Sequence, residues 1–179
     1  MGKSNSKPLS VGAKAKQAIL RDDVDEFDSI VVYHPFLVVK PVNDNLWTPL
    51  IMACINGSFS IVRHLVEDFR VSLDEQDYNG FTALIHLVFA GNSGNLHIAE
   101  YLCEKGADLM KRTDSGITAH SMALTNNNKG YVRLIEYHLK YGVWARHPFQ
   151  TRKKLLWVYD KSNYKKLPIH LIKEICMYM

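Results

Sequence analysis

The sequence has little cysteine and no long hydrophobic run. No stretch of 18 or more apolar residues occurs in its 179 residues, so no transmembrane helix is expected. The first ten residues, MGKSNSKPLS, are polar, and we expect no secretory signal there. The three cysteines, Cys54, Cys103 and Cys176, are far apart and odd in number. This spacing indicates reduced thiols of a cytosolic chain, with two of them in the core, and no zinc site.

Motifs of catalysis and metal binding are also missing. None of the eight histidines lies four residues from another, and HExxH does not occur. The chain has no GxSxG, no glycine-rich phosphate loop and no acidic calcium loop. We therefore predict that the protein is not an enzyme and holds no cofactor or metal, and we interpret the histidines as packing or surface residues.

Charge is segregated along the chain. Residues 1–21 contain five basic and no acidic residues, and residues 141–179 contain eight basic and two acidic ones. Residues 22–140 between them carry sixteen acidic and nine basic residues. An acidic middle with basic ends argues against one continuous nucleic-acid-binding face, and we expect no nucleic-acid partner. The pattern is typical of a binding body flanked by tails with other roles.

Three stretches of the sequence repeat one another. LWTPLIM, FTALIHL and GITAHSM align on Thr48, Thr82 and Thr118, which are 34 and 36 residues apart. Turn sequences precede two of these threonines, and a short apolar segment follows each one. A longer amphipathic segment comes next, which in the second unit stops at Gly106. Each unit is predicted to be a turn, a short helix, a loop and a longer helix.

This repeat resembles the ankyrin repeat. Residues 77–112 carry D-x-x-G-x-T-A-L and then I-A-x-Y-L-x-x-x-G-A-D, in the order of that family. The first unit departs from the pattern at Leu46 and at Phe69–Arg70, where glycines are expected, and the third has Asn127 in place of a glycine. Three extra residues around Gly91–Gly94 should lengthen the loop of the second unit. The resemblance covers residues 13–145 and implies an all-α solenoid of helix pairs.

The domain organisation follows from these units. Because each unit has an apolar face that it cannot bury alone, neighbouring units should stack and share a core. We predict a flexible basic tail at 1–12, a degenerate capping repeat at 13–42, three ankyrin repeats at 43–76, 77–112 and 113–145, and a helical C-terminal extension at 146–179.

The resemblance also implies where a protein partner would bind. In ankyrin proteins the partner usually lies against the hairpin tips and the short helices, on a concave side. The corresponding positions in this chain are Trp47, Tyr78, Asn79, Phe81, Phe89, Ile55, Asn56, Ser115 and Ile117. Large aromatic residues at such positions are favoured for binding. In the alternative interpretation, Trp47 and Phe81 fold back and cover the hairpins.

The N-terminus matches a lipidation signal. MGKSNS fits M-G-x-x-x-[ST], with Gly2 as the acceptor of a myristoyl group and Ser6 at the last position. One acyl chain binds membranes only marginally, and the early basic residues could supply the second signal. We expect a monomeric cytoplasmic protein, with peripheral membrane contact if Gly2 is acylated. The alternative is an unmodified polar tail.

The last residues leave the repeat pattern. The simplest role for 146–179 is to pack over the open end of the stack. Its end, LPIHLIKEICMYM, also resembles the opening helix of F-box segments and, loosely, the last part of a SOCS box. Both recruit ubiquitin ligases, so the alternative function is a ligase substrate receptor that recruits through 144–179.

Overall fold

Helices in consecutive pairs account for nearly all regular structure between residues 10 and 145. The computed structural model describes the backbone of residues 10–145 and the side chains of residues 10–141. The helices are α1 (Val11–Arg21), α2 (Val24–Val31), α3 (Pro49–Asn56), α4 (Phe59–Glu67), α5 (Ala83–Ala90), α6 (Leu96–Lys105), α7 (Ala119–Thr125) and α8 (Lys129–Ala145). Short 3-10 turns occur at Pro35–Val38 and Ser93–Asn95. Between residues 10 and 145 the only extended pairing is an isolated bridge, so the predicted all-α class is confirmed.

The repeated threonines begin the short helices. Each threonine has an extended backbone, and its hydroxyl accepts a hydrogen bond from the amide three residues later. The distances are 3.2 Å at Thr48, 3.3 Å at Thr82 and 3.2 Å at Thr118. These bonds satisfy amides that have no partner within the helix. Pro49 follows Thr48 at the first helical position, where the missing N–H costs no hydrogen bond.

The backbone keeps the repeat conformation even where the sequence departs from glycine. Leu46, Arg70 and Asn127 have φ values of 60°, 51° and 51°, in the left-handed region. Only glycine enters this region without a steric penalty, and asparagine enters it more readily than leucine or arginine. The neighbouring repeats therefore impose the turn geometry, at a local cost of about 1–2 kcal/mol at Leu46 and Arg70.

The helices stack so that each pair covers the next. The first helices of the pairs, α1, α3, α5 and α7, pack in one row, and α2 contacts α4. Branched and aromatic side chains between them form a continuous core, which includes Ile61, Leu65, Ile98 and Leu102 without any exposed surface. Cys54 and Cys103 lie in this core as buried thiols, and burial raises the pKa of Cys54 above its ordinary value.

Polar side chains link each pair to the preceding one. Around the junction between the two helices of a pair, a side chain donates to a carbonyl at the end of the previous pair's first helix, where carbonyls no longer accept the regular helical bond. The bonds run from Asn56 to Leu20 (3.0 Å), from Ser58 to Ile19 (2.6 Å), from Asn95 to Cys54 (3.5 Å) and from Asn128 to Gly91 (3.0 Å). Stacking therefore completes the hydrogen bonding of the helix ends as well as the apolar core.

The hairpin tips are also joined to one another. The amide of Tyr78 donates to the carbonyl of Asn45 (3.0 Å), and the amide of Asp114 donates to the carbonyl of Asn79 (3.2 Å). Neighbouring tips are thus held in register by main-chain hydrogen bonds. Gly80 lies at the closest approach, since a Cβ there would be 2.6 Å from the amide nitrogen of Asp114.

Two expected segments differ from the structure or fall outside it. Helix α1 begins at Val11 with Ser10 as its N-cap, so the last residues assigned to the flexible tail belong to a helix. The first of the two compact units of the chain ends at Gly142. The predicted extension at 146–179 lies outside the described residues, as does Gly2. No helix in the described part of the chain is long and apolar enough to cross a membrane.

The contact between hairpin tips predicts different costs for two similar substitutions. Gly80 and Gly116 have nearly equal φ values of 77° and 76°, but a Cβ at Gly116 would meet no atom within 4 Å. Gly116→Ala should cost about 1–2 kcal/mol of unfolding free energy from backbone strain alone. Gly80→Ala should cost about 1–3 kcal/mol more, because the added methyl must displace the next hairpin. Urea unfolding of both variants measures the difference, and equal losses would contradict a close contact between tips.

Candidate partner-binding surface

Four aromatic rings from the first and second repeats touch in sequence. His86 lies edge-on to Trp47, with ring centroids 5.4 Å apart, and 5.1 Å from the ring of Phe81. Phe81 in turn contacts Phe89 edge-on at 5.7 Å. We call these four residues the aromatic cluster. Such geometries are favourable for aromatic pairs, so the cluster is a connected unit. His86 was not among the predicted binding residues, because a lone histidine in an apolar helix gives no signal of its neighbours.

A buried carboxylate holds the cluster in place. Asp77 precedes the second hairpin, and its Oδ1 accepts hydrogen bonds from the amides of Asn79 (2.9 Å) and Phe81 (2.8 Å). Its Oδ2 lies 2.8 Å from Nε2 of His86. Burial would raise the pKa of Asp77, but the hydrogen bonds from Phe81, His86 and Asn79 outweigh burial and hold that pKa below its ordinary value. Asp77 is therefore an ionised acceptor that fixes the hairpin and the His86 ring together.

His86 is neutral in this environment. Burial disfavours its charged form and lowers its pKa, although the carboxylate of Asp77 acts in the opposite direction. The geometry then makes Nε2–H the donor to Asp77. The outcome is a hydrogen-bonded pair with one charge, enclosed by the rings of Trp47 and Phe81.

The predicted binding residues divide into exposed and packed ones. Tyr78 is 72% exposed and Phe89 is 59% exposed, whereas Trp47 and Phe81 are partly buried and pack against the core. Trp47 and Phe81 therefore do not stand free at the hairpin tips, and the inward orientation of the alternative interpretation describes them better. Phe81 is oriented inward by the hydrogen bond of its amide to Asp77, and Trp47 by its contact with the ring of His86. Alanine at either position should destabilise the fold as well as alter the surface.

The smaller predicted residues also differ in their surroundings. Ile55 and Ile117 are partly buried and pack against the core, while Asn79 and Ser115 are exposed at the hairpin tips. Asn56 is exposed, but its amide group donates to the carbonyl of Leu20 and to the hydroxyl of Ser58 (2.7 Å). The sequence alone did not reveal the bond to Leu20, since that acceptor belongs to a different helix pair.

The short helices that border the cluster contain no charged side chains. Helices α3, α5 and α7 have no Asp, Glu, Lys or Arg, whereas α4 and α6 carry both acidic and basic residues. The second helices also form charged contacts with one another, such as Lys105 with Glu67 at 2.9 Å. A protein surface with few charges can be desolvated at low cost, which suits the short-helix side for partner contact.

A second group of exposed apolar side chains lies in the N-terminal pair. Val32, Tyr33, Phe36 and Val39 are all more than half exposed, with Tyr33 at 80%. None of them was a predicted binding residue, because residues 13–42 were expected to form only a cap. The run IVVYHPFLVV was the available signal, since only three of its residues, Val31, Leu37 and Val38, are buried in the core.

His64 lies in α4, the second helix of its pair, and its environment differs from that of His86. Its Nε2 lies 2.6 Å from Oδ1 of Asp28, and its Nδ1 lies 2.7 Å from Oδ2 of Asp68. Burial lowers the pKa of His64, but the two carboxylates outweigh it and raise that pKa above its ordinary value. No group of three or more His, Cys, Asp or Glu suited to a metal occurs within the described residues.

The two histidines should give opposite pH dependences of stability. Below an unfolded pKa of about 6.5, the unfolded chain takes up a proton that native His86 resists, so His86 lowers stability on acidification. The contribution of His64 is fully present below that value and is lost as the pH rises through its raised native pKa. Between about pH 7.5 and 5.5, His64→Gln should therefore lose unfolding free energy more steeply than wild type, and His86→Gln less steeply. Urea unfolding across this range measures the slopes, and parallel profiles would contradict the assignments.

Comparison with known proteins agrees with this architecture. The family model for ankyrin repeats in three copies matches residues 30–113. Ankyrin repeat and SAM domain-containing protein 6 is 35% identical over 91 residues in Mus musculus and 32% identical over 90 residues in Rattus norvegicus. Each match covers 50% of this chain but 10% of the relative.

A more distant relative shares the same segment type. Alpha-latrocrustotoxin-Lt1a of Latrodectus tredecimguttatus is 29% identical over 85 residues, which is 48% of this chain and 6% of the toxin. Because the chain matches only a small part of each relative, the similarity concerns the repeats and not the whole proteins. The family match over residues 30–113, the similar segments and the stacked helix pairs together show that this part of the chain is similar to ankyrin repeats, which generally mediate protein–protein interaction in the proteins that carry them.

Proposed function

We propose that the chain is a non-enzymatic binding module whose partner lies against the hairpin tips and short helices. The observation that carries this proposal is the exposure of Tyr78 and Phe89 beside helices without charged residues. Aromatic side chains bury large areas with little loss of conformational freedom, and they are enriched among residues that dominate binding energies. The partner is a protein, because ankyrin repeats generally bind proteins.

The packed part of the surface supports the exposed part. Phe89 rests on Phe81, whose amide is bound to Asp77 and whose ring touches His86. A side chain already held in one orientation loses less entropy when a partner covers it. The inward orientation of Phe81 thus favours binding through Phe89, even though Phe81 itself is less accessible.

Crosslinking from the proposed surface tests this function. A photoreactive phenylalanine analogue at Tyr78 or Phe89 should crosslink the partner in cells of the native source, whereas the same analogue at Tyr33 should not. The double variant Tyr78→Ala/Phe89→Ala should weaken partner capture by at least about tenfold, because each lost aromatic anchor typically costs about 1–2 kcal/mol or more. Its unfolding free energy should change by less than about 1 kcal/mol, since both side chains are largely exposed.

Tyr33→Ala is the matched control, because Tyr33 is an exposed aromatic residue of a different helix pair. Partner capture that survives the double variant but is lost in Tyr33→Ala would transfer the function to the N-terminal apolar group. Capture unaffected by all three substitutions would overturn the proposed surface.

We propose further that the module acts in the cytoplasm and is held at a membrane by a myristoyl group on Gly2. The support is the match of MGKSNS to the acylation signal and the five basic residues among the first 21. Expressed in a eukaryotic cell, the wild-type protein should show the mass of a myristoylated N-terminal glycine and sediment with membranes. Gly2→Ala should show neither property, and an unmodified wild-type terminus would rule out the tether.

The alternative function is a substrate receptor of a ubiquitin ligase. Its support is the likeness of LPIHLIKEICMYM to F-box and SOCS-box helices, and these residues lie outside the described part of the chain. Affinity capture that recovers a ligase adaptor with the full chain, but not after deletion of residues 144–179, would favour this function. Recovery of no adaptor would dismiss it.

A further inference from the structure

We propose that the partner presents a basic side chain next to an apolar one, so that a lysine or arginine lies against Tyr78 while the apolar residue contacts Phe89. This inference rests on the proposed function and specifies the chemistry of its partner. Three features support it: the placement of Tyr78 between two hairpin tips that carry acidic residues, the contacts that occupy the nearby basic residues, and the neutrality of the short helices.

Tyr78 lies between acidic residues of the neighbouring hairpin tips. Its amide is bound to the carbonyl of Asn45, which follows Asp44, and the carbonyl of the next residue, Asn79, accepts the amide of Asp114. Asp114 itself forms one of the two bonds to the tip that carries Tyr78, and Asp44 is the residue before Asn45, which forms the other. An exposed aromatic residue whose two neighbouring tips each carry an acidic residue favours a cation, through the ring quadrupole and through charge.

The carboxylates of this row are available to a partner. Asp44, Glu75 and Asp114 are exposed, and their side chains make no hydrogen bond or ion pair with any residue between 10 and 141. Exposed carboxylates without partners give up no internal contact when a cation binds to them, so the attraction is opposed only by desolvation and side-chain ordering.

The basic residues nearby are mostly engaged within the chain. The amino group of Lys40 lies over the ring of Phe36, 5.6 Å from its centroid, and Nη1 of Arg112 donates to the carbonyl of Gly116 (2.9 Å). Lys111 is the remaining base and is partly buried. The hairpin segments contain six acidic and three basic residues, counted over 40–47, 72–81 and 106–117. The hairpin row is thus acidic, whereas the short helices beside it carry no charged side chain.

This arrangement separates two kinds of recognition. The neutral apolar area provides affinity through burial of Phe89. The acidic hairpin edge selects the charge of the partner side chain that contacts Tyr78. Lysine and arginine suit the boundary, because their long stems pack on apolar surface while the charged group reaches the edge. An acidic segment or a nucleic acid would meet repulsion from the same carboxylates.

The test selects binders from random sequences, so the natural partner need not be identified first. A random peptide library displayed on phage is selected on the full chain, and peptides are kept if Tyr78→Ala/Phe89→Ala abolishes their binding. The kept peptides should carry a lysine or arginine within a few residues of a large apolar residue. Fluorescence anisotropy of these peptides should give a Kd about threefold to tenfold weaker for Asp44→Asn/Asp114→Asn than for wild type. That difference should shrink as salt is raised, since both carboxylates are exposed.

Glu100→Gln/Glu104→Gln is the matched control, with two exposed carboxylates neutralised on α6 instead of the hairpins. It should leave the Kd within about twofold of wild type if long-range charge is screened. An equal loss in both double variants would assign the effect to net charge and overturn the proposed position of the cation.

The remaining outcomes separate this inference from the proposed function. Kept peptides without basic residues would overturn the inference while leaving the Tyr78–Phe89 surface in place. Peptides that bind the chain but do not respond to Tyr78→Ala/Phe89→Ala would place binding elsewhere and contradict both. Recovery of no binding peptide would also count against the inference.

Discussion

Within residues 10–145, each of the first three helix pairs depends on the following pair for two things at once. Its apolar face is covered when the next pair stacks on it, and a carbonyl at the end of its first helix accepts a hydrogen bond from a side chain of that next pair. Bonds such as Ser58 to Ile19 and Asn128 to Gly91 require the pairs to be in one register. A repeat shifted by one residue would lose these side-chain donors, and any buried carbonyl that is left without a donor costs about 1–3 kcal/mol. Stacking therefore specifies one arrangement in addition to stabilising it.

The same register creates the proposed binding surface. Main-chain bonds between hairpin tips set the position of Tyr78 relative to its neighbours, and Asp77 ties the second hairpin to His86 on the adjacent helix. Because Asp77 bonds both amides of the hairpin and the imidazole, it couples hairpin shape to the arrangement of the rings. The ionised carboxylate of Asp77 is tolerated in a buried position, because these hydrogen bonds replace the ones it would make with water.

Packing on the core and the proposed contact with a partner involve different side chains of the aromatic cluster. Trp47 and Phe81 face the core, so their packing contributes to folding, while Phe89 extends the cluster into solvent. The helices follow a similar division, because charges occur on α4 and α6 and are missing from α3 and α5. Charged outer helices favour solubility, which allows the short-helix side to remain neutral and open to a partner.

The amino-acid pattern by itself determined the repeat and the class of fold. Threonines at nearly equal spacing, the apolar periodicity and the glycine-bearing turns are local signals, and each is interpreted by rules that act within one helix or one turn. What only the tertiary structure decided is which side of each residue is covered. Asn56 was predicted as a binding residue but bonds Leu20, His86 gave no sign in the sequence of the rings it contacts, and Leu46 takes a glycine conformation. These outcomes depend on contacts between residues far apart in the chain, and their energies exceed the local preferences that the sequence displays.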